Sequence, residues 1–182
     1  MIESEVDINA KKSDLSGFTM RNKRSQIIGL IVALLLPFVV AGIGVAATSS
    51  SLSDWYPALK KPAWNPPAWL FGPVWTVLYL MIGLSSWLVW RERPRQPAGV
   101  KQALVWYAVQ LGLNALWSIF FFGMRQIGLA LVDIIALWIT LLITIIKFWH
   151  IRPVAGWLLT PYLLWVTFAT ALNSAIWWLN RE

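Results

Sequence analysis

The sequence predicts an all-α integral membrane protein, a five-transmembrane-helix bundle with an ordered, lid-like first loop. Five apolar stretches follow one another, and each has about the 20 residues that a helix needs to cross a bilayer. The chain is 58% hydrophobic and 13% charged, which leaves too few charged side chains to cover a soluble domain of 182 residues. No stretch alternates apolar and polar residues with period two, as a transmembrane β-barrel requires, so the spans are predicted to be helices.

The first element is a polar arm, residues 1–25, whose interleaved acidic and basic side chains predict a tether that is disordered or lies at the membrane interface. The transmembrane domain then covers residues 26–182. Its predicted spans are 27–47, 67–90, 102–124, 127–146 and 153–179, with the lid loop at 48–66. Asp133, in the fourth span, is the one charged residue inside these stretches.

Basic residues are distributed unevenly along the chain. The arm, the second loop and the fourth loop together carry eleven Lys and Arg, against four on the first loop, the third loop and the tail. The positive-inside rule therefore predicts a cytoplasmic N-terminus and a cytoplasmic second loop. Because no basic stripe has the spacing of a nucleic-acid site, the net charge of +7 is attributed to topology, with membrane lipids and not nucleic acid as partners.

The membrane is expected to be a bacterial inner membrane. An organellar membrane is the alternative. It is less favoured because the arm contains four acidic residues, whereas a transit peptide is rich in Arg and poor in acid.

Several kinds of chemistry are excluded by composition. The chain has no Cys, a single His (His150) and no glycine-rich phosphate loop. Thiolate chemistry, a His metal cage and a Ser–His–Asp triad are therefore not expected, and the sequence predicts no catalytic residue, no metal and no obligatory cofactor. The chain carries instead 14 Trp, 4 Tyr and 8 Phe.

The first loop is unusually rich in Trp and Pro. The segment "WYPALKKPAWNPPAW" holds three Trp and four Pro, including Trp55, Trp64 and Pro67. Trp residues also collect at the level of the lipid headgroups, so an interfacial aromatic belt is the alternative. Clustered prolines, which restrict the backbone, favour an ordered lid.

The depths at which polar and aromatic residues lie within the spans predict a pocket inside the bundle. At about 1.5 Å per residue, Trp75 and Asp133 lie roughly 10 Å below the outer surface, and Asn114 and Trp165 lie near the midplane. Gln110 is one turn further in. Polar groups at this depth are costly against lipid, so they should face the bundle interior and form an apolar pocket with a few hydrogen-bonding groups.

The polar residues of the spans also have structural interpretations. Asp133 is expected to be a tether that hydrogen-bonds a neighbouring helix or the lid, because a proton relay would need further titratable partners. Asn114 and Gln110 either contact a ligand or join helices. Small residues four apart, such as Gly42 with Ala46 and Ala108 with Gly112, predict close helix approaches within the chain or in a homodimer.

Four segments carry a resemblance to a known family: "WYPALKKPAWNPPAWLFGPVWTVLYLMIG", "LNALWSIFFFG", "ALVDIIAL" and "PYLLWVTFATALN". They resemble the tryptophan-rich sensory protein / translocator protein family, also called peripheral-type benzodiazepine receptors, over about residues 27–180. The resemblance implies five transmembrane helices, frequent dimerisation and a first loop that covers a ligand pocket. It also implies binding of porphyrins, including haem and protoporphyrin, with cholesterol and benzodiazepine-type ligands in some members.

Matched by position, the resemblance places Trp75, Asn114 and Trp165 in the pocket, Ala169 against the ligand, and Trp64 and Pro67 in the lid. The full set of candidate ligand-binding residues is Trp64, Trp75, Tyr79, Gln110, Asn114, Trp117, Tyr162, Trp165 and Ala169. The candidate lid and structural residues are Trp55, Pro67 and Asp133.

The expected function is a membrane receptor or carrier that binds porphyrin-type tetrapyrroles, with a sensory, transport or scavenging role in tetrapyrrole and stress physiology. Metal-free porphyrin is expected to bind at least as well as haem, because no Cys exists and His150 is far from the pocket. Sterol binding is not predicted, since Ser174 stands where the cholesterol motif of animal members has Tyr. The alternatives are a light-dependent porphyrin-degrading enzyme, a sterol or benzodiazepine-type ligand, and an assembly partner without a ligand.

Overall fold

The computed structural model describes the backbone of residues 2–49 and 51–181, and the side chains of these residues from Lys23 onward. Its helices are α1 (Ile2–Thr48), α2 (Trp55–Ala58), α3 (Ala68–Trp90), α4 (Pro97–Ser118), α5 (Ile127–Ile151) and α6 (Pro153–Leu179). A π-helical turn, Ile119–Gly123, continues α4. Within the described residues, five helical segments are long and apolar enough to cross a bilayer, which confirms the predicted all-α class with five spans.

Helix α1 is longer than the first predicted span. It begins at Ile2 and so includes the polar arm, for which the sequence predicted disorder or an interfacial position. Once the apolar span has formed a helix, each preceding residue adds a backbone hydrogen bond without a new nucleation step. Helix α5 is also longer than predicted. It ends at Ile151, five residues beyond the predicted end of the fourth span, and has Lys147 and His150 in its last two turns.

The core lies between α3, α4, α5 and α6. Helix α5 contacts α4 and α6 along its length, and the largest fully buried side chains include Tyr162, Phe148 and Ile82. Helix α1 packs on α3 and α4 from outside and is the least buried of the five spans: 6% of its most apolar window is buried, against 39% for α5. The windows of α1 and α5 are also much more apolar than those of α3, α4 and α6.

The backbones of α1 and α3 approach each other closely at Gly83. A β-carbon at this position would lie 2.7 Å from the carbonyl oxygen of Ala33 and 2.9 Å from Cα of Leu34. By contrast, a β-carbon at Gly42 or Gly112 would meet nothing within 4 Å. The prediction that these two glycines mark close contacts within the chain is therefore wrong, because both face away from the other described helices.

At the end of the bundle where loop two (residues 91–96) lies, charged side chains connect neighbouring helices. Glu92 accepts hydrogen bonds from Arg152 at 2.9 Å and from Arg95 at 3.2 Å. The Arg152 hydrogen bond, helped by the positive charge of Arg95, lowers the pKa of Glu92 against a smaller opposing effect of burial. This arrangement connects the end of α3 to the start of α6.

Candidate functional site

Asn114 lies at the centre of a buried hydrogen-bonded group. The hydroxyl of Tyr79 donates to Oδ1 of Asn114 at 3.0 Å, and Nδ2 of Asn114 donates to the hydroxyl of Tyr162, also at 3.0 Å. All three side chains are buried, and Tyr162 is completely so. One carboxamide thus connects α3, α4 and α6, since each of these helices contributes one partner.

Aromatic rings continue from this group toward loop one (residues 49–67). Trp75 stacks on Tyr79 with ring centroids 5.2 Å apart and meets Trp165 edge-on at 6.5 Å. Phe168 then contacts Trp165 at 5.6 Å and Trp64 of loop one at 5.8 Å. We call this series of rings the aromatic column; its members are Trp64, Phe168, Trp165, Trp75, Tyr79 and Tyr162. Stacked and edge-on contacts at these distances are favourable for aromatic rings.

The first half of loop one docks on the π-helical turn. The hydroxyl of Ser51 donates to the carbonyl oxygen of Phe122 at 2.7 Å. Trp55 meets Phe121 edge-on at 5.7 Å, and Tyr56 contacts both Phe121 and Phe122. Burial raises the pKa of Tyr56, opposed by its hydrogen bond to Asn65.

The second half of loop one is held by α6 and by its own backbone. Asn180 accepts from the backbone N–H of Lys60 at 3.0 Å and donates to the carbonyl oxygen of Lys60 at 2.9 Å. The ammonium group of Lys61 donates to the carbonyl oxygens of Tyr56, Pro57 and Leu59 at 2.6, 3.1 and 2.9 Å. Loop one therefore has a defined path between α4 and α6, while its action as a lid stays a prediction.

The π-helical turn gives loop one its docking surface. The backbone N–H of Met124 donates to the carbonyl oxygen of Ile119, five residues back, at 2.7 Å. Arg125 follows with a φ of 56°, a left-handed conformation that ends the turn before α5 begins. Phe121 and Phe122 of this turn both contact Tyr56 of loop one and Trp117 of α4. Single-turn π segments of this kind are frequent at functional sites.

Other predicted site residues lie around this centre. Trp117 donates from Nε1 to Oδ1 of Asn173 at 3.0 Å and stacks on Phe121 at 5.2 Å, so it belongs to the packing beneath loop one. Ala169 packs against the same core as Trp75 and Trp165. Pro67 is the N-cap residue of α3 and so fixes where loop one ends.

Two buried polar side chains have unpaired atoms. Gln110 is fully buried, and neither its oxygen nor its nitrogen has a hydrogen-bond partner among the described residues. It lies one turn from Asn114 on the same face of α4. Oδ2 of Asp133 is also buried without a partner in the described part of the chain. The expected tether from Asp133 to a neighbouring helix or to the lid is therefore not formed at this atom.

Sequence reasoning missed Phe71, Phe168 and Asn180. Phe71 had a signal, since Phe71, Trp75 and Tyr79 recur every four residues and so form one aromatic stripe on α3. Phe71 meets Trp165 edge-on at 5.9 Å. Asn180 had no such signal, because its partner is 120 residues away in the chain.

Comparison with known proteins gives consistent matches along the bundle. The sequence model described as the TspO/MBR family matches residues 33–179. A tryptophan-rich protein TspO from Archaeoglobus fulgidus is 42% identical over 155 residues, which are 85% of this chain and 99% of that protein. A tryptophan-rich sensory protein from Cereibacter sphaeroides is 41% identical over 144 residues, 78% of this chain and 87% of its own length. The translocator protein of Homo sapiens is 42% identical over 123 residues, 68% and 73% of the two chains.

Proposed function

The chain belongs to the TspO/MBR family of membrane proteins, and from that premise we propose that it is a membrane receptor and carrier for porphyrin-type tetrapyrroles. The aromatic column, which leads from loop one to the Tyr79–Asn114–Tyr162 group, is the observation that carries this proposal. It supplies flat apolar faces beside a few hydrogen-bonding groups, the composition typical of a small-molecule site.

The relative orientation of the two central indoles suits a planar guest. Trp75 and Trp165 are both half-buried, and their rings meet at 86°. A macrocycle that enters between them can therefore stack on one ring while its edge contacts the other. The two rings touch in the structure, so binding requires them to separate. The unpaired amide of Gln110, one turn below Asn114, can then hydrogen-bond a polar group of the guest.

The guest is proposed to bind without iron ligation. The chain has no Cys, and its single His lies in the last turn of α5, beside loop four. Nδ1 of His150 donates there to the carbonyl oxygen of Ile146 at 2.7 Å. No His or Cys lies near the column, and the hydroxyls of Tyr79 and Tyr162 are already hydrogen-bonded to Asn114. Haem therefore gains no axial ligand over protoporphyrin, and the metal-free macrocycle should bind at least as tightly.

Binding rather than turnover is proposed, in line with relatives whose names describe a translocator and a sensory protein. The porphyrin-degrading alternative makes a different prediction. Under illumination it would give a modified tetrapyrrole in amounts exceeding the protein, whereas a receptor gives back unchanged protoporphyrin. Multiple turnovers by purified protein would therefore contradict this part of the proposal.

Protoporphyrin is expected to quench the tryptophan fluorescence of the purified protein saturably, and Trp75→Ala or Trp165→Ala should weaken its affinity. Each variant removes a ring face worth about 2 kcal/mol in burial and stacking, which corresponds to roughly 30-fold in Kd. Trp69→Ala is the matched control, because Trp69 is 72% exposed and lies outside the aromatic column. Equal affinity in the wild type and in both folded column variants would remove the site assignment.

The lid role of loop one predicts an effect on dissociation. Asn180→Leu breaks both hydrogen bonds to the backbone of Lys60, so protoporphyrin should leave several-fold faster in stopped-flow displacement while its association rate changes little. Asn180→Asp keeps the acceptor for the Lys60 N–H and should give an intermediate rate. Arg181→Gln alters the neighbouring residue, which stacks on Trp178, and should have no effect. Identical dissociation rates in all four proteins would show that loop one does not retain the ligand.

A further inference from the structure

A groove of about 550 Å³ lies on the outer surface of the bundle, where α3 ends and α4 begins. It is at the opposite end of the bundle from loop one and shares no residue with the aromatic column. Its basic side chains are Arg93 and Lys101. Its apolar wall is formed by Trp90, Leu104, Val105 and Ala108.

Neither basic side chain of the groove forms an ion pair with the residues whose side chains the structure describes. The ion pairs among the described residues join Glu92 to Arg95 and to Arg152, so the carboxylate of loop two is already engaged. Arg93 and Lys101 themselves are exposed. Helix α4 starts at Pro97 between them, and the partial positive charge of its N-terminus adds to theirs.

The apolar wall continues from the charged end along α4. From Lys101 to Ala108 the helix advances about 10 Å, and Val105 and Ala108 are exposed on this face. Because α4 is a membrane span, this direction leads from the membrane surface into the hydrocarbon. A molecule that fills the groove must therefore be anionic at one end and apolar along the rest.

The wall of the groove is fixed from behind by α1. A β-carbon at Gly29 would lie 2.6 Å from Cζ3 of Trp90, so the indole rests directly on the backbone of that helix. The neighbouring Trp87 donates from Nε1 to the carbonyl oxygen of Gln26 at 3.1 Å, which holds α1 in register at the same level. A rigid wall lowers the entropy cost of binding an acyl chain against it.

We propose that this groove binds one anionic phospholipid from the leaflet on the side of loop two, which the distribution of basic residues predicts to be cytoplasmic. Arg93 and Lys101 together hold the headgroup phosphate, whose negative charge has no cation beside it in an anionic lipid. One acyl chain lies along Leu104, Val105 and Ala108, and Trp90 packs against the glycerol region, the level at which Trp rings are favoured.

Native mass spectrometry of the full chain released from mixed micelles tests the headgroup contact. With phosphatidylglycerol and phosphatidylcholine of identical chains present in equal amounts, one bound phosphatidylglycerol should be retained at least tenfold over phosphatidylcholine. Arg93→Gln and Lys101→Gln should each reduce that preference several-fold. Arg91→Gln removes the same charge from the same loop, but its guanidinium stacks on Trp87, 4.5 Å from the ring centroid, so the preference should persist. Equal losses in all three variants would mean diffuse charge attraction and would overturn the proposal.

A second arm of the experiment tests the acyl-chain contact. Ala108→Phe fills the apolar part of the groove and leaves every charge in place, so it should also lower phosphatidylglycerol retention, with the melting temperature as the check on folding. Inorganic phosphate at millimolar concentration should not displace the lipid. Displacement by phosphate, or undiminished retention in folded Ala108→Phe, would overturn the proposal. So would a homodimer that buries the groove against a second copy.

Discussion

Gly83→Leu is expected to destabilise the bundle strongly. The new side chain would have to occupy space held by the carbonyl oxygen of Ala33 and Cα of Leu34, at 2.7 and 2.9 Å from the β-carbon position. Both are backbone atoms, which cannot turn aside as a side-chain end can, so α1 must move away from α3. Overpacking costs about 1–3 kcal/mol. The upper end of that range is expected here because backbone atoms are in the way, so the melting temperature in detergent should fall by roughly 10 °C.

Gly112→Leu provides the matched control for this prediction. A β-carbon at Gly112 meets nothing within 4 Å, so the same change on α4 should leave the melting temperature nearly unchanged. If Gly83→Leu and Gly112→Leu melted alike, the close contact between α1 and α3 would be incorrect.

Asn114→Leu is expected to lower both stability and porphyrin affinity. It leaves the hydroxyls of Tyr79 and Tyr162 buried without their shared partner. Unpaired buried groups cost about 1–3 kcal/mol each, and interhelical hydrogen bonds in membranes fall at the lower end of that range, so a loss of about 2–4 kcal/mol in the free energy of unfolding is expected. Unfolding in SDS titrations and protoporphyrin quenching on the same preparations measure the two effects.

Tyr79→Phe separates the hydrogen bond from simple packing. In the wild type this change leaves Oδ1 of Asn114 without its donor and should be destabilising. In the Asn114→Leu background it removes a hydroxyl that has already lost its partner, and should restore part of the stability. Equal costs of Tyr79→Phe in both backgrounds would contradict the proposed coupling of α3, α4 and α6 through Asn114.

The sequence was sufficient for the fold class because the bilayer imposes a helix length, and the apolar stretches met it. It was also sufficient to predict that Trp75, Asn114 and Trp165 lie in one region of the bundle. The fixed rise of a helix turns sequence position into depth, and polar or aromatic groups from separate spans at similar depth have to share the interior. The structure joins Trp75 to Asn114 through Tyr79, with ring and hydrogen-bond contacts at each step.

Which side of each helix faces the interior of the bundle could not be predicted in the same way. A span that is apolar all round has no strong polar face to indicate which side is turned inward. Gly42, Gly83 and Gly112 are therefore equivalent as sequence letters, although Gly83 alone among these three meets a neighbouring backbone. The π-helical turn at Ile119–Gly123 and the bond between Asn180 and Lys60 depend on contacts distant in sequence, which no local pattern records.

The uneven apolarity of the spans has a consequence for biosynthesis. Helices α1 and α5 are apolar enough to insert into the bilayer without help from the other spans. Helix α1 also remains largely exposed on the outside of the bundle. Helices α3, α4 and α6 are less apolar and bring Tyr79, Asn114 and Tyr162, whose polar groups become paired when all three helices have been made. Because α6 follows α3 and α4 in the chain, Asn114 of the nascent protein lacks its Tyr162 partner until α6 has been made.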